Sequence, residues 1–192
     1  DDDDDDDDDD LRMEEVPQPE PTADQVLIKT QAIGVNRADL GRRRTVSEGQ
    51  QEPPRIPGLD VAGVVETVGA NVSNCRPGDQ VMALVRGAYA EYSVANSVLT
   101  FRPPEGMSTS DAASLPCVFF TAWYAFQMAG LKAEDTALIH SAGSGVGMAG
   151  IQIAKALEVR VLTSAGTDER VEQGRQLGAE AGVNYSRENV TE

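Results

Sequence analysis

Histidine and cysteine are both scarce in this 192-residue chain, with one His and two Cys. The single histidine, His140, stands beside a glycine cluster. Without a Cys/His cluster the sequence offers neither a structural nor a catalytic zinc site, and no metal is expected. One histidine at a glycine loop also leaves no Ser/His/Asp or Cys/His arrangement for nucleophilic catalysis. Cys75 and Cys117 have no paired spacing and form no CxxC, so a disulfide framework is excluded and a reducing compartment is favoured. No apolar run approaches the ~20 residues a membrane span requires. The basic and apolar regions of a signal peptide are missing too, so the expectation is a soluble, cytoplasmic protein without a membrane partner.

Basic residues are also few. Of 32 acidic residues, ten form the run Asp1–Asp10, leaving 22 acids against 16 Lys and Arg, a net of −6. That body has no basic stripe for a phosphate backbone, and nucleic acid is not an expected partner. The Asp run repels itself and buries nothing, so residues 1–10 are expected to be a disordered tail or tag outside the fold.

What is present is an α/β pattern in two parts. From residue 11 to about 110 the chain is β-rich. Strands are expected at 26–33, 61–69, 75–84 (after a Pro77-Gly78-Asp79 turn) and 88–95, with a short helix at 36–44 and a loop at 45–58. Short strands separated by Gly/Pro turns suggest a β-barrel-like domain. Residues 111–192 alternate strand and helix, as a parallel sheet requires. A helix start is expected in "TSDAASLP", and "VFFTAWYAFQMAG" (118–130), apolar on nearly every side, is expected to be a buried helix. Strands at 136–140, 159–163 and 181–184 then alternate with helices at 146–157 and 168–177.

The stretch "ALIHSAGSGVGMAGIQIAKAL" carries the chemistry. Its glycines sit between a strand and a helix, and Gly145, Gly147 and Gly150 fit G-x-G-x-x-G. Bare backbone at a helix start lets a pyrophosphate approach free N–H groups at the positive end of the helix dipole. At the tip of the next strand a ribose-binding acid would mark NAD. Here the tip is Thr163-Ser164-Ala165. Ser164, Thr167 and Arg170 instead offer hydroxyls and a guanidinium to a 2′-phosphate, so NADPH is the expected cofactor. The alternative reading makes Arg170 a solvated helix residue.

The motifs "GVNRADL", "PGLDVAGVVETVG", "RPGDQVMAL", "AASLPCVFFTAWYAF", "LIHSAGSGVGMAGIQIAKAL" and "TSAGTDER…LGAEAGVNY", in this order, resemble the zeta-crystallin-like quinone oxidoreductases, a zinc-free branch of the medium-chain dehydrogenase/reductase superfamily. The resemblance runs over 11–192. It implies a GroES-like domain followed by a Rossmann domain, a substrate cleft between them, and hydride transfer from NADPH to a quinone or similar activated carbonyl. Asn36 stands where zinc-dependent relatives carry a ligand Cys, and Gly58-Leu59-Asp60 where they carry Gly-His-Glu. A quinone is already electrophilic and accepts hydride without a Lewis acid.

The resemblance also implies site residues. Asn36, the expected catalytic residue, and Thr121 fall near the nicotinamide. Ser144, Gly145, Val146 and Gly147 fall at the pyrophosphate, Gly166 and Arg170 at the ribose and its phosphate, and Tyr185 at the adenine. Asn36 reads equally as a helix cap, Thr121 as a core residue and Tyr185 as a packing residue. Many relatives carry a Tyr in the loop after "NRADL"; here Ser47 stands near that place. Strands for only the first half of a Rossmann sheet are present, so the expectation is a truncated chain whose usual homodimer contact is missing and whose turnover is in doubt. The alternatives are an enoyl reductase of the same superfamily and a catalytically silent nucleotide-binding or structural protein.

Overall fold

A computed structural model describes residues 11–43 and 56–188. The Asp run and Ser47 lie outside the described residues. The chain divides into two compact units, one ending at Cys117 and the next beginning at Val118.

The first unit is built on a five-stranded antiparallel sheet in the order β4-β1-β2-β3-β5. Its strands are β1 (Gln25–Gly34), β2 (Asp60–Val68), β3 (Gln80–Leu84), β4 (Tyr92–Asn96) and β5 (Thr100–Phe101). β1 is rich in β-branched and aliphatic residues, and the run Val26-Leu27-Ile28 is fully inside. Val26 and Ile28 form the core of this unit with Val61, Val65, Val81, Ala83, Val85 and Ala95. Each fully buried Val or Ile contributes roughly 1.5–3 kcal/mol. Ala62, Ala112 and Ala113 make a second, smaller cluster, which seats α2 (Thr109–Ala113) against the sheet. Ser108, the residue before the start expected in "TSDAASLP", caps α2 by accepting from Asp111 N–H.

One expectation changes here. The strand expected at 88–95 begins only at Tyr92, because Ala88 and Tyr89 N–H bond back to Gly58 and Pro57 O, and Ala90 N–H turns on Ala88 O. The helix expected at 36–44 is α1 (Arg37–Arg43).

The second unit is a three-stranded parallel sheet, β6 (Thr136–His140), β7 (Arg160–Ala165) and β8 (Ala181–Asn184), in the order β6-β7-β8. The crossover helices are α4 (Gly145–Ala156) and α5 (Asp168–Leu177). Ala142, Ile151, Ala154, Val161, Ala165 and Val171 form its core, with Phe126 and Ile139 packed on them. α3 (Pro116–Ala129) precedes this sheet. It is not the buried helix expected from its sequence: Trp123, Tyr124 and Met128 are 45%, 67% and 71% exposed. Among the described residues it engages the core of its unit through Phe126. No helix among the described residues is long and apolar enough to cross a membrane.

Candidate functional site

The glycine loop joins β6 to α4. Ser141 takes a left-handed φ of 59°, which turns the chain sharply off the strand end. Ser144 N–H returns to Ser141 O at 2.8 Å. Ser144 then caps α4: its side chain accepts from Gly147 N–H at 3.0 Å. The backbone N–H groups of Gly145 and Val146, in the first turn, have no acceptor within the helix. Both residues are exposed, so these donors are available to an anion. Gly147 is required by close approach, since a Cβ there would lie 2.3 Å from Ser141 O. Gly150 has room: a Cβ would meet Ile139 and Phe126 at 3.5 and 3.6 Å.

The end of β7 holds the residues expected at the 2′-phosphate. Arg170, exposed on the first turn of α5, lays its side chain over Gly143, where an added Cβ would meet its Cδ at 2.7 Å. The cation therefore lies against the glycine loop. Thr167 is the N-cap of α5 and accepts from Arg170 N–H. Gly166 lies against the Tyr185 ring, with a Cβ there 3.0 Å from the Tyr185 hydroxyl oxygen. Tyr185 is 52% exposed. Ser164 is placed differently from the expectation: it is 1% exposed and its hydroxyl bonds His140 Nδ1 at 2.9 Å. It thus ties the ends of β6 and β7 together rather than offering a free hydroxyl.

Asn36 belongs to a polar cluster in the first unit. Gly34 pairs with Asp60 where β1 and β2 begin their ladder, so Asn36, two residues on, stands over the Asp60 carboxylate. A Cβ on Gly34 would come within 2.9 Å of Asp60 Oδ2; only glycine admits the carboxylate at this spot. Asn36 Nδ2 donates to Asp60 Oδ2 at 2.7 Å, and Cys117 N–H donates to Asp60 Oδ1 at 2.6 Å. The side chain of Asn36 is thus not a cap for α1. Instead Asp39 reaches back, its Oδ2 accepting from Asn36 N–H at 2.8 Å and from the Tyr89 hydroxyl at 3.3 Å. Tyr89 fits because Gly58, at φ 97°, has no side chain in its path.

The electrostatics follow from burial. Burial raises the Asp60 carboxyl above its ordinary range; the bonds from Asn36 and Cys117 draw it down, and the Asp39 charge adds to the rise. Burial, then the Asp39 charge and hydrogen bond, raise the Tyr89 phenol. Asp39 and Tyr89 were not singled out by sequence reasoning. The only available signal was the pairing of "NRADL" with "PGLD". Thr121 is exposed on α3. Among the described residues no group of three or more His, Cys, Asp or Glu is arranged to hold a metal ion.

Comparison with known proteins bears on these two assemblies. The family model described as "Alcohol dehydrogenase GroES-like domain" matches residues 22–105, and that described as "Zinc-binding dehydrogenase" matches 145–192. The quinone oxidoreductase of Sus scrofa is 39% identical over 178 residues, which cover 91% of this chain and 54% of the pig protein. The chain belongs to the zeta-crystallin-like medium-chain dehydrogenases/reductases. Two solved structures of this superfamily agree in fold. The quinone oxidoreductase from Coxiella burnetii is 33% identical with a TM-score of 0.77, covering 92% of this chain and 58% of that one. The quinone oxidoreductase from Thermus thermophilus, solved also in complex with NADPH, is 32% identical with a TM-score of 0.74, covering 91% and 56%. The chain therefore spans about half the length of the curated medium-chain relatives it matches.

Proposed function

We propose that the chain serves an NADPH-dependent, zinc-independent oxidoreductase that passes hydride to a quinone or a similarly activated carbonyl. The observation that carries this is the pairing of a Ser144-capped helix start with Arg170 at the end of β7. The N–H groups of Gly145 and Val146 suit a pyrophosphate. The guanidinium of Arg170, held against the loop at Gly143, suits a 2′-phosphate, and Tyr185 offers an exposed ring face beside Gly166 for a base. Glycine at 147 keeps the loop open to close backbone approach. NADPH, when bound, supplies the hydride. The residues of this chain bind and orient it.

Asn36 stands where the resemblance sets a ligand Cys and Gly58-Leu59-Asp60 where it sets Gly-His-Glu, and Asn36 is hydrogen-bonded to Asp60, which favours positioning chemistry over Lewis-acid chemistry. We assign the protein to the cytoplasm, a reducing setting that suits the thiols of Cys75 and Cys117. The test is a titration of the full chain with NADPH and with NADH, following nicotinamide fluorescence. NADPH-selective binding is expected. Binding of neither, or equal binding of both, overturns the reading.

A further inference from the structure

We propose that Ser164 is a positioning residue for the glycine loop: from the tip of β7 it grips the chain on both sides of Ser141 and holds Ser141 in the left-handed turn that aims the start of α4, without touching a ligand itself. Two hydrogen bonds make the grip. The Ser164 hydroxyl shares one with His140 Nδ1 at 2.9 Å, one residue before Ser141. The Ser164 carbonyl accepts the other from Ala142 N–H at 3.0 Å, one residue after it. Ser164 is 1% exposed, so it acts through these two neighbours. The residue before it helps: Thr163 Oγ1 donates to Ile139 O at 2.6 Å, and two successive β7 side chains thus fasten the end of β6.

Ser141 needs the hold. At a φ of 59° an L-residue brings its Cβ close to the following carbonyl oxygen, and such a conformation persists only where the surroundings fix it. Ser141 is exposed, so burial of its own side chain does not secure it. What happens at Ser141 is passed along the loop. Ser141 O accepts from Ser144 N–H at 2.8 Å, and Ser144 Oγ accepts from Gly147 N–H at 3.0 Å. A shift of Ser141 therefore moves the cap of α4, and with it the N–H groups of Gly145 and Val146.

Resting on the function proposed above, those N–H groups meet the pyrophosphate that NADPH and NADH share. Loss of the Ser164 hydroxyl then weakens both nucleotides equally, whereas a direct contact with the 2′-phosphate would weaken NADPH alone.

The first test needs no ligand: amide hydrogen exchange in the full chain, wild type against Ser164→Ala. Ala142 and Ser144 N–H should exchange roughly fivefold faster or more in the variant. Arg160 N–H, bonded to Asp135 O at the far end of β7, should change far less. Acceleration of all three by the same factor, or none at Ala142 and Ser144, overturns the proposal. The second test titrates wild type, Ser164→Ala and the double variant S141G/S164A with NADPH and with NADH. Ser164→Ala should lose roughly three- to tenfold in affinity for each nucleotide. Glycine adopts the left-handed turn without a hold, so the double variant should regain most of that loss. A loss confined to NADPH, no loss at all, or no recovery in the double variant overturns the proposal. If the wild type binds neither nucleotide, the proposed function fails, while the exchange rates still decide whether Ser164 holds the loop.

Discussion

Replacing Gly147 by alanine, with Gly150→Ala as its partner experiment, separates the two roles of glycine in the loop. At 147 the new methyl would lie 2.3 Å from Ser141 O, 3.0 Å from Ser141 C and 3.0 Å from Ser144 Oγ. Ordinary contact begins near 3.4 Å, so the shortfall is about 1.1 Å. The obstacle is backbone, and a flexible side chain cannot absorb it. Ser141 O also accepts from Ser144 N–H, and Ser144 Oγ caps Gly147 N–H. Moving either loosens the helix start that binds the anion. Overpacking of this kind costs roughly 1–3 kcal/mol, while alanine in a helix returns roughly 0.8–1.0 kcal/mol. The net for Gly147→Ala is a loss of up to about 2 kcal/mol.

At 150 the nearest atoms are side-chain carbons at 3.5 Å and beyond, so the helix gain stands alone and Gly150→Ala is neutral or stabilising by up to ~1 kcal/mol. The assay is urea denaturation followed by the fluorescence of Trp123, the one tryptophan of the chain, which lies in the second unit, together with NADPH titration. Gly147→Ala should shift the midpoint down and weaken NADPH binding at least tenfold. Gly150→Ala should do neither. Equal behaviour of the two variants would refute the reasoning.

Three other outcomes are expected. Ser144→Ala removes the N-cap of α4 and should lower stability by about 1 kcal/mol, read by the same denaturation; no change would mean that the cap is not formed in solution. Arg170→Ala should weaken NADPH binding about tenfold and leave NADH binding unchanged, whereas equal loss for both would remove the 2′-phosphate role. Because burial raises the folded Asp60 carboxyl above 3.8, the folded chain takes up that proton more readily than the unfolded chain. The associated stability is present in full below pH 3.8 and is lost as pH rises through the folded value. Asp60→Asn should therefore gain stability relative to wild type as pH rises over that window, measured as the difference in Tm; a flat or falling difference would reverse the sign.

The sheet strands and the glycine loop were legible because each is written locally. Alternating or continuous apolar runs mark β1, β2 and β6, and small residues at fixed spacing mark the start of α4. The failures are tertiary. The apolar sequence of α3 reports that the helix avoids water and not what covers it, so Trp123, Tyr124 and Met128 were misplaced. Ser164 was taken as open because its partner, His140, is 24 residues away. Asn36 and Asp60 were each noted, but their bond spans another 24 residues and depends on the β1–β2 register. Asp39 and Tyr89, which complete that cluster, look like ordinary helix and turn residues in sequence.

The contact between Gly143 and the Arg170 side chain joins two recognition elements that come from different strand ends. A methyl group at 143 would push the guanidinium off its seat without altering any charge in the protein. If Arg170 reads the 2′-phosphate as proposed, selectivity between the phosphorylated and unphosphorylated cofactor is open to change from inside the loop, by steric means alone. A descendant would then lose that preference while still carrying the arginine.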